Sequence, residues 1–138
     1  MIHNPEVNAD LLSRGIQFIM DTHGAQIIPW SEIQPEDIVI IPAFGTTLEI
    51  FDILEKIGVE VQSWDTTCPF VEKVWKRAES LGVEGHTVVV HGKPKHEETR
   101  ATFSHSASGA PTVVVRDMDD TVLLIDFILG KKPLTEFH

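Results

Sequence analysis

A chain of 138 residues, 42% hydrophobic and 23% charged, suffices for one ordinary domain or two small lobes, and no apolar run approaches the roughly 20 residues of a membrane span. A net charge of -10 excludes the broad basic face that a nucleic-acid partner requires. The opening MIHNPEVNADLL has neither the basic nor the apolar region of a secretory leader, so a cytoplasmic, reducing setting is expected, and the single cysteine, Cys68, cannot form an internal disulfide.

In chain order, Asn4-Pro5 reads as a helix start, cap then first-turn proline, and the helix runs with Leu11 and Leu12 inward until Gly15. IQFIM is a short apolar run, and residues 21–37 form a polar, turn-rich loop or ribbon of short strands. IVIIPAF, 38–44, is continuously apolar and β-branched, which predicts a strand buried on both faces. A helix follows from Thr46 or Thr47 to Gly58, with Leu48, Phe51, Ile53 or Leu54, and Ile57 on one stripe. VEVQSW is the next strand, Pro69 opens a helix to about Gly82, and HTVVVHG is another buried strand. HEETRATF predicts a short helix, PTVVV a strand and DMDDTVLLIDFILG a last helix. Strands separated by single helices imply a parallel sheet, so the fold class is α/β: alternating strands and helices forming three-layer α/β lobes with mainly parallel sheets.

Ligands of such sheets bind outside the carboxyl ends of the strands. Three segments leave strands in that direction: PAFGTT, DTTCP and HGKPKHEET. Cys68 adjoins the N-cap of the Pro69 helix, where the helix dipole favours thiolate, the form that binds metal or attacks an electrophile; a buried, inert thiol is the alternative. His96 and Glu98 stand at another helix start beside Lys93 and Lys95, and suit either a proton relay over an anion or plain capping of the helix. Lys73, Lys76, Arg77 and Arg100 extend this local basic segment, as an anion site or as ordinary surface charge. His3 precedes a third helix start, and the remaining histidines show no zinc-ligand spacing.

HNPEVNADLLSRGIQFI, IPAFGTTLEIFDILEKIGVEV, DTTCPFVEKVW and HGKPKHEETRATFSHS, in that order, resemble segments of the 4-hydroxy-3-methylbut-2-enyl diphosphate reductase family, IspH or LytB, over residues 2 to about 128. The resemblance implies reductive removal of an allylic hydroxyl, giving isopentenyl and dimethylallyl diphosphates in the methylerythritol phosphate pathway. It also implies a [4Fe-4S] cluster held by three cysteines from three lobes, and a ferredoxin- or flavodoxin-type electron donor. Carried over, Cys68 is the middle cluster ligand, His3 contacts the diphosphate, and His96 and Glu98 form the pair that organises proton delivery, with Glu98 as donor. Residues 1–66 correspond to the latter part of a first lobe and 67–138 to most of a second.

Two departures qualify that correspondence. Phe44 stands where many members carry a diphosphate-binding histidine, and the other two cluster cysteines have no counterpart here. The resemblance therefore implies a piece of a full enzyme, inactive alone without a complementary chain or a homo-oligomer. A non-catalytic α/β module is the competing expectation. A thiol peroxidase reading of TTCP fails, because Asp65 and Val61 stand where that pattern has threonine and proline.

Overall fold

A computed structural model describes residues 1–133. The Asn4 side-chain oxygen accepts the N–H groups of Glu6 and Val7, so α1 (Pro5–Ser13) starts where the Asn-Pro pair predicts. It contributes no buried residue, and Leu12 is 51% exposed, which corrects the expectation of an inward Leu11–Leu12 face. The reason is geometric: adjacent residues lie about 100° apart on a helix, and Leu12 points away from the side on which Leu11 is partly covered. Met20 and Gln26 form one antiparallel bridge, so the segment after α1 is the expected ribbon, ending in a single 3-10 turn at Trp30–Glu32.

The strand expected at 38–44 is reduced to a single parallel bridge at Ile41, and residues 38–41 bury one face only. Val39 and Ile41 enter a core with Leu54 and Val59, whereas Ile38 and Ile40 are 64% and 55% exposed. An apolar run therefore concealed a period-2 alternation that burial on one side imposes. The partner segment is also not a full strand: Gln62–Trp64 winds into a 3-10 turn. The two segments nonetheless run parallel, through Ile41 N–H to the Trp64 carbonyl (3.1 Å), Thr66 N–H to the Ile41 carbonyl (3.1 Å) and Cys68 N–H to the Ala43 carbonyl (2.8 Å). Between them lies α2 (Leu48–Ile57), capped by Thr47 and ended by Gly58 at φ 94. Leu54 is its fully buried residue, with Ile50, Phe51 and Ile57 packed around the same core.

The later half repeats the βαβ pattern at small scale. After α3 (Pro69–Val83), β1 (Val88–His91) and β2 (Thr112–Val115) pair in parallel, from Val88 opposite Thr112 to His91 opposite Val115, with α4 (Glu97–Gly109) as the crossover. The α/β class and the parallel pairing stand, although this sheet has two strands and Val90 is the one buried residue of β1. α4 is longer than its sequence suggests, because Thr99, Ala101 and Ser106 are buried against α3 and the strands, and packing outweighs the modest helix propensity of Thr, Ser and His. α3 and α4 meet at glycines: a Cβ on Gly82 would lie 2.0 Å from the Gly109 carbonyl oxygen. α5 (Met118–Ile128), capped by Asp117, lies on β2. Among the described residues no helix is long and apolar enough to cross a membrane.

Candidate functional site

The parallel ladder carries DTTCP past the end of the 38–41 strip, so Cys68 reaches the Pro42–Gly45 turn and bonds its backbone N–H to Ala43. Cys68 is the N-cap residue of α3, as expected; its thiol makes no capping hydrogen bond and is partly exposed. The next residue of the turn, Phe44, places its ring 5.7 Å from the His3 imidazole. His3 in turn stacks on His96, with centroids 4.6 Å apart and planes within 7°. The three strand-end segments thus converge through His3: PAFGTT holds Cys68 on one side and touches His3 on the other, while HGKPKHEET supplies the ring beneath His3.

His96 is the N-cap of α4 but does not cap it with its side chain, which leaves that imidazole for other partners. Glu97, and not Glu98, reaches back: Glu97 Oε1 lies 3.0 Å from His3 Nε2. The pair is close but poorly aligned, since both Glu97 oxygens are out of water and accept no well-directed hydrogen bond. The Met1 amino group donates to the Met20 carbonyl (3.1 Å). Burial pushes its pKa below the ordinary value, against the opposing charges of Glu97 and Asp21. Glu98 is exposed in the first turn of α4.

The basic segment does not converge as a unit. Lys73 lies over the Phe70 ring at 5.1 Å, Lys76 pairs with Glu72 at 3.2 Å and Arg77 with Glu84 at 3.6 Å, all on or at the end of α3, so these three are ordinary surface charge. Arg100 packs its guanidinium over Gly24. Lys93 and Lys95 remain exposed in the loop before His96. Among the described residues no three of His, Cys, Asp and Glu are grouped to hold a metal ion. Cys68 alone does not fit a cluster that takes three thiolates, so these residues supply at most one of its corners.

Behind the turn lies a contact that spacing did not reveal. Trp75 of α3 and His105 of α4 stack with centroids 3.6 Å apart and planes within 3°. His105 Nε2 donates to the Thr46 carbonyl (3.0 Å), and Trp75 comes so close to Gly45 that a Cβ there would lie 2.3 Å from the ring. Burial lowers the His105 pKa from its ordinary value, the Thr46 hydrogen bond and the Asp65 charge opposing. Only the glycine after Phe44 hinted at this, as a place where something must approach closely.

The sequence pattern of the LytB protein family matches residues 1–132. The 4-hydroxy-3-methylbut-2-enyl diphosphate reductase of Synechococcus sp. (strain RCC307) is 41% identical over 130 residues, covering 94% of this chain and 30% of that protein. The Prochlorococcus marinus (strain MIT 9211) reductase is 39% identical over 137 residues, 99% of this chain and 32% of its own length. The chain thus spans about a third of the curated relatives it matches. Among solved structures, (E)-4-hydroxy-3-methyl-but-2-enyl diphosphate reductase, the terminal enzyme of the non-mevalonate pathway, superposes with TM-score 0.66 at 29% identity, over 86% of this chain and 39% of that one. The Plasmodium falciparum E-1-hydroxy-2-methyl-but-2-enyl-4-diphosphate reductase shares the fold, at TM-score 0.70 and 24% identity, over 88% of this chain and 34% of that one.

Proposed function

The chain belongs to the LytB protein family, and from that premise we propose that it carries the anion-binding and proton-delivering part of a 4-hydroxy-3-methylbut-2-enyl diphosphate reductase site. The observation that supports this reading best is the parallel His3–His96 stack at the junction of two helix N-termini, α1 and α4. Two imidazoles side by side, with the uncapped backbone N–H groups of the first turn of α4 nearby, offer several donors to one diphosphate, whereas the first turn of α1 is already capped by Asn4. Their edges, not their stacked faces, are what an anion meets.

Glu98, in the first turn of α4, is the group assigned to protonate the departing allylic hydroxyl. The overall reaction takes two electrons and two protons and releases water. In the complete reductase an iron-sulfur cluster supplies the electrons from a ferredoxin- or flavodoxin-type donor, and Cys68 would be one of its thiolate ligands. Because this chain offers one ligand, its own part is to bind and orient the allylic diphosphate and to hold the proton, in a cytoplasmic setting. The one-cysteine composition also favours a second reading, a module that keeps the fold and the anion site without turnover, alone or beside a complementary chain.

Thermal melts with inorganic pyrophosphate test the binding assignment, since a ligand bound only by the folded state raises the midpoint, by about 2.7 kcal/mol of stabilisation at 100 times its dissociation constant. A rise in the native chain that is lost in His3→Asn/His96→Asn supports the assignment. An unchanged midpoint up to saturating pyrophosphate overturns it. Binding without reductase activity, after anaerobic addition of iron, sulfide and an electron donor, selects the second reading.

A further inference from the structure

We infer that the Trp75–His105 stack is a positioning clamp, which fixes the 42–47 turn against α3 and α4 and thereby sets where Cys68 stands relative to the His3–His96 pair. The inference rests on the assignment of those residues to one site, and deepens it.

The turn touches both halves of that site. Its Ala43 carbonyl receives the Cys68 N–H, and its Phe44 ring meets His3. Left to itself, such a turn is soft: it has one internal backbone hydrogen bond, Gly45 N–H to the Pro42 carbonyl (2.8 Å), and a glycine at φ +76. What fixes it comes from the helices that begin at the site residues. Trp75 lies seven residues, two helical turns, beyond Cys68 on α3, and His105 nine residues beyond His96 on α4. Their rings stack on each other, Trp75 closes over Gly45, and His105 donates to Thr46 one residue further on.

A third link runs beside them, from Leu48 N–H at the start of α2 to Ser104 Oγ at 3.0 Å, and the Phe51 ring meets His105 edge-on at 6.3 Å. α2, α3 and α4 are therefore cross-tied at the turn and within four residues of its end. Among the described residues the Trp75 indole N–H is buried without a partner, so this tryptophan is held there by stacking and shape and not by a hydrogen bond of its own. A displacement of either helix start moves Cys68 or His96 only if the clamp yields.

The test compares His105→Ala with Val59→Ala, a buried substitution at the far end of α2 that lowers stability without touching the clamp. Two readouts are taken well below both melting midpoints: the rate of Cys68 alkylation by iodoacetamide, and the pyrophosphate dissociation constant. The expected result is a change of about threefold or more in both quantities for His105→Ala, faster alkylation and weaker binding, with Val59→Ala unchanged, because local opening and not global unfolding exposes the site. His105→Gln, which can restore a donor to Thr46, should recover part of the loss. Equal behaviour of His105→Ala and Val59→Ala in both readouts overturns the clamp. If His105→Ala does not fold, His105→Phe, which keeps a ring on Trp75 but loses the N–H, takes its place with the same criteria. If the native chain itself ignores pyrophosphate, the anion-site assignment fails, and the alkylation arm alone decides the clamp.

Discussion

The two ends of α4 differ in how tightly they are packed. At its C-terminal end Ser106 and Ala110 are buried, the Ser106 hydroxyl without a hydrogen-bond partner among the described residues, and Gly109 meets α3 at Gly82 and Glu79 with no room for another methyl group. At its N-terminal end the Glu97 oxygens are buried without a well-directed donor, His96 leaves its cap unmade, and Glu98 is exposed. One end is packed for rigidity, and the other keeps polar groups that a ligand can still engage. A site of this kind works because the open end is carried by the closely packed one.

The largest test of that contrast breaks the tight end. Gly82→Ala would ordinarily strengthen a helix by up to about 1 kcal/mol, but the Gly109 carbonyl, a backbone group that cannot swing aside, blocks the methyl group, and the cost falls at the upper end of overpacking, about 3 kcal/mol. We expect a net loss of about 2 kcal/mol in urea denaturation; a stabilised variant would show that the helices can part. Gly45→Ala should follow closely, at about 1–2 kcal/mol, from a left-handed conformation that disfavours a side chain together with the contact against Trp75. Its diagnostic is that pyrophosphate binding weakens along with stability.

His105 gives a smaller, pH-dependent effect. Its folded pKa lies below the ordinary 6.5, so the unfolded chain takes up the proton first, and stability present above that value is lost as pH falls through it. Asp65, which favours the charged form, limits the loss. The melting midpoint of the native chain should therefore decline from about pH 7 downwards more steeply than that of His105→Phe. Parallel curves would contradict the buried, neutral histidine. Smallest of all is Glu97→Gln, at the loose end. It removes a buried carboxylate with poor partners as well as its contact to His3, and should change stability by no more than about 0.5 kcal/mol. A large loss would mean that this end is as tightly built as the other.

These contrasts also explain what was legible in the sequence. Local signals were read correctly wherever one residue determines the local structure: Asn4-Pro5, Thr47, Gly58 and Pro69 mark helix boundaries by their own chemistry, and the structure has them there. Ile38–Ile41 misled because a run of β-branched residues carries no mark of which face is covered, and Gln62–Trp64 because a 3-10 turn and a short strand share the same apolar pattern. The convergence of His3, Phe44, Cys68 and His96 followed from strand ends and family motifs together. The Glu97 contact to His3 and the Trp75–His105 stack depend on helix phase and on contacts 30 and more residues apart, which no local pattern reports.

The central claim is that His3 and His96 form one anion site. The most direct measurement is a pyrophosphate titration followed in the imidazole carbon-proton NMR signals of the native chain, assigned with His3→Asn and His96→Asn. The account predicts that both signals move together along a single binding curve, and that either substitution abolishes the movement of the other. Signals that stay fixed while pyrophosphate binds elsewhere, or that titrate with separate affinities, would contradict it.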